Sequence, residues 1–161
     1  MIDECIFKTS LANISVKGEN GYIIGVEFTK RKLKKTSNKL LLNARTQIYE
    51  YFQGRRKSFT LKVNPMGTVF QRKVWNKLQL IKYGEVKFYS DIAKELKSSP
   101  RAVGNACGKN KCLIIIPCHR IVSKNVKNSS GYSSFGGLIH KNILLSFEKN
   151  TIGVRCNSTS Y

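Results

Sequence analysis

Four branched apolar residues, Leu113-Ile114-Ile115-Ile116, run straight into Pro117 and then into Cys118-His119-Arg120-Ile121-Val122. The apolar run reads as a stiff buried strand. Pro117 ends it, because proline brings no N–H to a sheet ladder and pushes the residue before it toward extended geometry. A thiol, an imidazole and a guanidinium are then carried on one turn at the end of buried backbone, an arrangement that presents a sulfur nucleophile.

With 161 residues the chain has room for one ordinary core, or for a small subdomain beside a larger one. Its 29 Lys and Arg against 9 Asp and Glu give a formal charge of +20, whereas solubility in a small domain needs only about 2 to 8. The surplus points to a polyanionic partner, nucleic acid before an anionic membrane surface. Cys5, Cys107, Cys112, Cys118 and Cys156 have the spacing of neither a disulfide framework nor a zinc finger or knuckle. No secretory leader is evident, and the longest apolar run is far too short to cross a bilayer. A cytoplasmic protein without membrane contact, metal or cofactor is expected.

Alternating segments near Cys5–Thr9, Asn13–Lys17 and Tyr22–Phe28, with a tight turn at Glu19-Asn20-Gly21, predict a small antiparallel sheet. The charge run Lys30–Lys39 reads as a solvated loop. Leu41, Ala44, Ile48 and Phe52 recur at helical spacing and Gly54 stops them, and Ser58–Val63 could add a strand. The boundary to a second unit falls near Asn64-Pro65-Met66-Gly67. Beyond it, Thr68 caps a helix through Phe70, Val74, Trp75 and Leu78 that Tyr83-Gly84 ends. Ser90 caps a second helix burying Ile92, Ala93 and Leu96, and Ser99-Pro100 opens a third that Gly108 closes. With a three-residue turn between them, the last two form a helix-turn-helix. In the third helix Arg101 is followed by mostly small residues, a poor surface for reading major-groove edges but one that lets the backbone come close, with Arg101 as a lone probe. Leu138–Lys149 reads as a final helix, with a polar tail beyond it. The class expected is α+β: a small N-terminal antiparallel sheet with a helix, then a mainly helical part holding the helix-turn-helix and the cysteine turn.

The helix pair, Arg101-Ala102-Val103-Gly104, Asn110, Pro117-Cys118-His119-Arg120, Gly136-Gly137-Leu138, Lys141, Leu144-Leu145 and Glu148 together resemble the O6-alkylguanine-DNA alkyltransferases, or methylated-DNA-protein-cysteine methyltransferases, over roughly Val63 to Lys149. The resemblance implies a ribonuclease-H-like α/β subdomain over 1–63, a DNA-binding and alkyl-transfer domain over 64–150 and a flexible tail over 151–161. It implies a monomer that binds double-stranded DNA through the minor groove and moves an alkyl group from O6 of guanine, and by extension from O4 of thymine, irreversibly to Cys118. By the same resemblance His119 is the base, acting through a water and oriented by Glu148. Arg101 fills the stack that the flipped nucleotide leaves, and Tyr89 helps rotate it out. Ala102 and Gly104 face the DNA, and Asn110 braces the recognition helix against the cysteine turn. Arg120 and Ile121 support the site, and the backbone amide of Tyr132, Ser133 or Ser134 meets the guanine oxygen. The sequence departs from the family pattern in extra residues within Gly131–Phe135, in Lys111 where a proline is common, and in Asn105. Two other readings stand beside this one: a damage sensor that holds the lesion without repairing it, and a basic helix-turn-helix regulator with a reactive cysteine.

Overall fold

A computed structural model describes residues 1–125 and 137–157, with the side chains of 153–157 excepted. Strands β1 (Asp3–Lys8), β2 (Asn13–Glu19) and β3 (Tyr22–Thr29) form an antiparallel sheet in that order. Asn20 and Gly21, with φ of 51° and 80°, make the two-residue turn that closes the β2–β3 hairpin at Glu19 and Tyr22. Both positions need positive φ in such a turn, which is why Asn-Gly suits it. Phe7, Ile14, Val16, Val26 and Phe28 are buried in the sheet, and α1 (Lys39–Phe52) packs onto it through Leu41, Ala44 and Ile48. Asn38 caps α1 by accepting from the amides of Leu40 and Leu41.

The free edge of β3 receives the rest of the chain through two single-residue bridges, to Val63 and to Cys112. Neither neighbouring segment is a strand, which corrects two expectations. Around Thr60 the backbone is held instead by a side chain, Gln47, whose Oε1 accepts from the Thr60 amide at 3.0 Å. After Cys112 the chain turns through Leu113–Ile116, with Ile114 at φ 70°. All four residues are at least 93 % buried. A continuous apolar run reports burial on every side, and burial alone does not distinguish a strand from a coiled segment driven into the core.

Helix α2 (Val69–Leu78) opens on a capping box between Thr68 and Gln71. It stops at Leu78, before the expected Tyr83-Gly84 end, and the chain turns through the next residues to Gly84. There φ is +78°, and a Cβ would stand 2.1 Å from Ile152 Cδ1, so glycine is required on both counts. A two-residue parallel pairing of β4 (Lys87–Phe88) with β5 (Ile121–Val122) carries the chain to α3 (Tyr89–Glu95). Because the strand pairing runs up to Phe88, the helix begins at Tyr89. Ser90 is therefore inside the helix rather than its cap, and Asp91 accepts from the Phe88 amide. Four residues, Leu96 to Ser99, link α3 to α4 (Pro100–Gly108), with Lys97 at φ 50°; Ser99 caps α4.

The last helix, α5 (Gly137–Asn157), passes Lys149 and continues where a tail was expected from residue 151. Thr151 and Ile152 are partly buried, and Ile152 packs against the core, which draws another turn and more into the helix. Among the described residues, no helix is long and apolar enough to cross a membrane. The whole is a mixed α+β fold in which α2 and α5 meet around the Pro117–Arg120 segment.

Candidate active site

Pro117 leads into one turn of 3-10 helix, Cys118–Arg120, before β5 begins. All three of its residues are buried: Cys118 is 2 % exposed and His119 not at all. The turn is fixed from two directions. Asn110, just past the end of α4, donates from Nδ2 to the Ile116 carbonyl at 2.9 Å and to Cys118 Sγ at 3.2 Å, while its Oδ1 accepts from the Cys112 amide at 2.9 Å. One amide side chain thus ties the helix pair to the sulfur. An N–H directed at sulfur favours the thiolate over the thiol.

From the other side comes Glu148 of α5, which is fully buried. Its Oε1 lies 2.7 Å from His119 Nε2 and 2.9 Å from Arg120 Nη2, and it accepts from the Tyr51 hydroxyl at 2.8 Å; Oε2 accepts from Arg120 Nε and the Gly84 amide. Burial alone would raise this carboxyl, but the hydrogen bonds and charges of His119 and Arg120 outweigh it and hold the group at about 2. An ionised carboxylate only accepts, so His119 carries its proton on Nε2 and its Nδ1 is the lone-pair nitrogen. Nδ1 is buried and has no hydrogen-bond partner among the described residues. Burial lowers the imidazole from its ordinary range, and Glu148 opposes that shift. The ring is therefore a neutral base with one committed and one available nitrogen. Arg120 also donates to the Ile81 carbonyl at 2.8 Å, and its guanidinium sits 5.6 Å from the Tyr83 ring.

Tyr89, at the first position of α3, is brought beside the turn by the β4–β5 pairing. Lys141 Nζ lies 3.3 Å from its hydroxyl and 5.4 Å from its ring centre. Burial raises the phenol, and negative charge on Cys107 or Cys118 would raise it further. Lys141 is only 4 % exposed, so burial lowers its ammonium, and charge on Cys118 or Cys107 would support it. A buried cation next to two sulfurs favours ionisation of whichever sulfur can use it. Cys107 faces inward from α4 and is pushed to about 12, first by burial and then by Cys118; burial alone takes Cys112 to about 12 as well. Of these three cysteines, Cys118 is the one whose sulfur receives the Asn110 donor.

The remaining residues singled out from the sequence lie around this centre or outside it. Arg101 is exposed in the first turn of α4, with Ala102 half-buried beside it. A Cβ at Gly104 would stand 3.8 Å from the Tyr89 ring, so the small-residue side of α4 packs near that tyrosine. Ile121 is fully buried and pairs with Lys87. Tyr132, Ser133 and Ser134 lie outside the described residues. A cavity of about 490 Å³ is lined by Phe59, Leu61, Tyr83, Ile115, Pro117 and Arg120 but not by Cys118, so it backs the turn without reaching the sulfur. Tyr51, Gly84, Cys107 and Lys141 join the site without having been expected there. Lys141 and Glu148 are seven apart, two turns of one helix, and that spacing puts them on one face. For Tyr51 the signal was a choice between spacings: the buried stripe of α1 runs 41, 44, 48, 51, and position 52 is only half-buried.

The chain is similar to known proteins over most of its length. The profile described as "6-O-methylguanine DNA methyltransferase, DNA binding domain" matches residues 69–150. A methylated-DNA–protein-cysteine methyltransferase of Methanosarcina acetivorans is 38 % identical over 152 residues, covering 89 % of this chain and 96 % of that protein. The inducible methylated-DNA–protein-cysteine methyltransferase of Bacillus subtilis is 47 % identical over 105 residues, 64 % of this chain, and the match spans 57 % of the Bacillus protein. A crystal structure of the Mycobacterium tuberculosis enzyme in complex with DNA superposes with a TM-score of 0.74 at 29 % identity, covering 91 % of this chain and 92 % of that one. With the profile covering half the chain and a full-length relative at this identity, the chain belongs to the 6-O-methylguanine DNA methyltransferase family.

Proposed function

We propose that this protein repairs DNA by moving a methyl or other alkyl group from O6 of guanine to Sγ of its own Cys118. The observation that carries the reading is the convergence on one short turn of a sulfur with an N–H donor and a neighbouring imidazole with a free ring nitrogen. The Cys118 proton passes to His119 Nδ1, directly or through a water, while Nε2–H stays on Glu148. The thiolate attacks the alkyl carbon, the S–C bond forms as the C–O6 bond breaks, and the electron pair returns to the guanine oxygen as the ring takes up a proton. The thioether is a very poor leaving group, so each molecule acts once.

The reacting carbon lies on a base stacked inside duplex DNA, and the sulfur is buried, so the nucleotide swings out into the protein at a cost of a few kcal/mol. Arg101, exposed at the start of α4, takes the place it leaves, and the small residues Ala102 and Gly104 let α4 sit close in the minor groove. Tyr89 guides the base, and Asn110 couples docking of the helix pair to the geometry of the sulfur. Lys141 stabilises the thiolate. The protein works as a cytoplasmic monomer.

The test is a titration of the protein against a duplex carrying one O6-methylguanine. One lesion should disappear per protein molecule, with guanine left in the strand and no further turnover. Tight lesion binding with the O6-methylguanine intact would overturn the reading in favour of a sensor.

A further inference from the structure

The densest positive charge on this chain is not on the helix pair. Residues 89–109, which include α3 and α4, carry four basic residues against two acidic ones, whereas residues 30–39 carry six, Lys30, Arg31, Lys32, Lys34, Lys35 and Lys39, against none. All six are exposed, and so is Leu33 among them. The run was expected to be a solvated loop, and although it is exposed, part of it is stitched down. Ile6 and Lys34 exchange backbone hydrogen bonds at 2.9 and 3.0 Å, making the loop a partial fourth strand on β1. Glu4 draws in Arg31 and Lys34, the first through a hydrogen bond from Nη1 at 3.1 Å and the second at 3.6 Å. Those two cations hold the loop in place, and Lys32, Lys35 and Lys39 have no ion pair among the described residues.

Sheet order locates the patch. The chain joins its second half through the outer edge of β3, and the loop lies on the opposite edge, against β1. With neighbouring strands about 4.8 Å apart, three spacings put the loop roughly 14 Å from β3. Six like charges held together repel one another, and solubility does not need them. A polyanion with closely and regularly spaced charges relieves that repulsion, and nucleic-acid backbone is such a partner.

We propose that the Lys30–Lys39 segment, the loop with the first residue of α1, is a second nucleic-acid contact, binding backbone phosphates outside the segment held by α3 and α4. The proposal rests on the reading that the protein acts on DNA. It predicts an occupied site longer than the helix pair needs, with the lysines of the loop adding affinity without touching the lesion.

The variant to make is Lys32→Gln, Lys35→Gln, Lys39→Gln, which leaves Arg31, Lys34 and Glu4 to hold the loop. Binding to lesion-free duplexes of increasing length is measured across a salt series, so the result does not depend on alkyl transfer. For the parent protein, affinity should keep rising with duplex length after the helix-pair site is filled. The variant should lose that rise, and its slope of log K against log salt should fall by roughly 0.9 for each phosphate contact removed. Transfer from a free O6-alkylguanine base should be unchanged. Equal slopes and equal length dependence in the two proteins would overturn the proposal. So would a variant that binds DNA normally but no longer binds phosphatidylserine vesicles, because the patch would then be a membrane contact. No transfer to Cys118 by the parent protein, with its length effect present and lost in the variant, would count against the repair reading and leave the second contact standing.

Discussion

Oε1 of Glu148 and Nε2 of His119 stand 2.7 Å apart in the protein interior, although 29 positions separate the two residues in the chain. That one bond joins the final helix to the cysteine turn and fixes which nitrogen of the imidazole is free. The same carboxylate holds Arg120, the Tyr51 hydroxyl and the Gly84 amide, so it is both a structural pin and the group that orients the imidazole.

Glu148→Ala leaves the Arg120 guanidinium buried without its carboxylate, a change that costs about 3–5 kcal/mol in comparable settings. At about 2–4 °C per kcal/mol for a chain of this size, thermal unfolding should drop by roughly 6–20 °C. Calorimetry or a circular-dichroism melt checks this, and an unchanged midpoint would mean that the network does not stabilise the fold.

The same residue sets an acid limb. Its folded carboxyl, at about 2, lies below the ordinary 4.5, so between those values the unfolded chain binds more protons than the folded one. Its contribution is therefore complete above pH 4.5 and is lost as pH falls toward 2, worth about 3 kcal/mol in all. His119 acts in the same direction higher up: its folded value lies below the ordinary 6.5, so the neutral folded form loses ground as pH falls beneath that value. Urea midpoints measured from pH 7 to pH 2 should decline throughout, and Glu148→Gln should flatten the part below 4.5. An equally steep decline there in the variant would assign the acid limb to other carboxyls.

Asn110→Leu removes the donor to Cys118 Sγ and to the Ile116 carbonyl and the acceptor of the Cys112 amide. The Ile116 carbonyl keeps the Cys118 amide as a donor, but the buried Cys112 amide is left without an acceptor, at a cost of about 1–3 kcal/mol, so stability should fall by roughly that amount. Asn110→Asp keeps the acceptor but puts a negative charge by the sulfur, and the Cys118 thiol should then ionise at higher pH. Iodoacetamide labelling of Cys118 against pH reads that shift, and an unmoved profile would remove Asn110 from control of the sulfur.

Lys141→Met keeps most of the volume and removes the buried ammonium. Its effect should separate chemistry from folding: stability is held or raised, because a buried charge no longer has to be desolvated, while transfer near neutral pH slows and recovers as pH rises. A rate deficit that persists at high pH would show that Lys141 acts by shape.

Arg101→Ala, an exposed change at the start of α4, should slow transfer from duplex DNA at least tenfold and leave transfer from a free O6-alkylguanine base within about twofold, because only the former pays for unstacking, a few kcal/mol. Equal losses on both substrates would contradict its place in nucleotide extrusion.

The elements most legible in the sequence were those set by local chemistry. Asn20-Gly21, Thr68 and Ser99-Pro100 mark a turn and two helix starts through local hydrogen bonds, and the structure has each of them. Segments decided by distant partners were misread. Leu113–Ile116 looks like a strand from its branched residues, but the core surrounds it and one bridge from Cys112 to Val26 satisfies the local sheet edge. Ser58–Val63 is held by the side chain of Gln47, and the pairing of β4 with β5, which seats Tyr89, is only two residues long and leaves no periodic trace. In the site, the Pro117–Arg120 run was legible because its residues adjoin. Tyr51 was not, and Lys141 carried the resemblance without a role, because what each does depends on where α5 passes the turn and on Tyr51 reaching Glu148.

The most direct test of the account is the mass of the intact protein, followed by peptide mapping, after incubation with a duplex bearing a single O6-methylguanine. The protein should gain one methyl group, located on Cys118, and Cys118→Ala should gain none although that variant still binds the duplex. A methyl group found on Cys107 or any other residue, or an unchanged mass with the lesion bound, would contradict it.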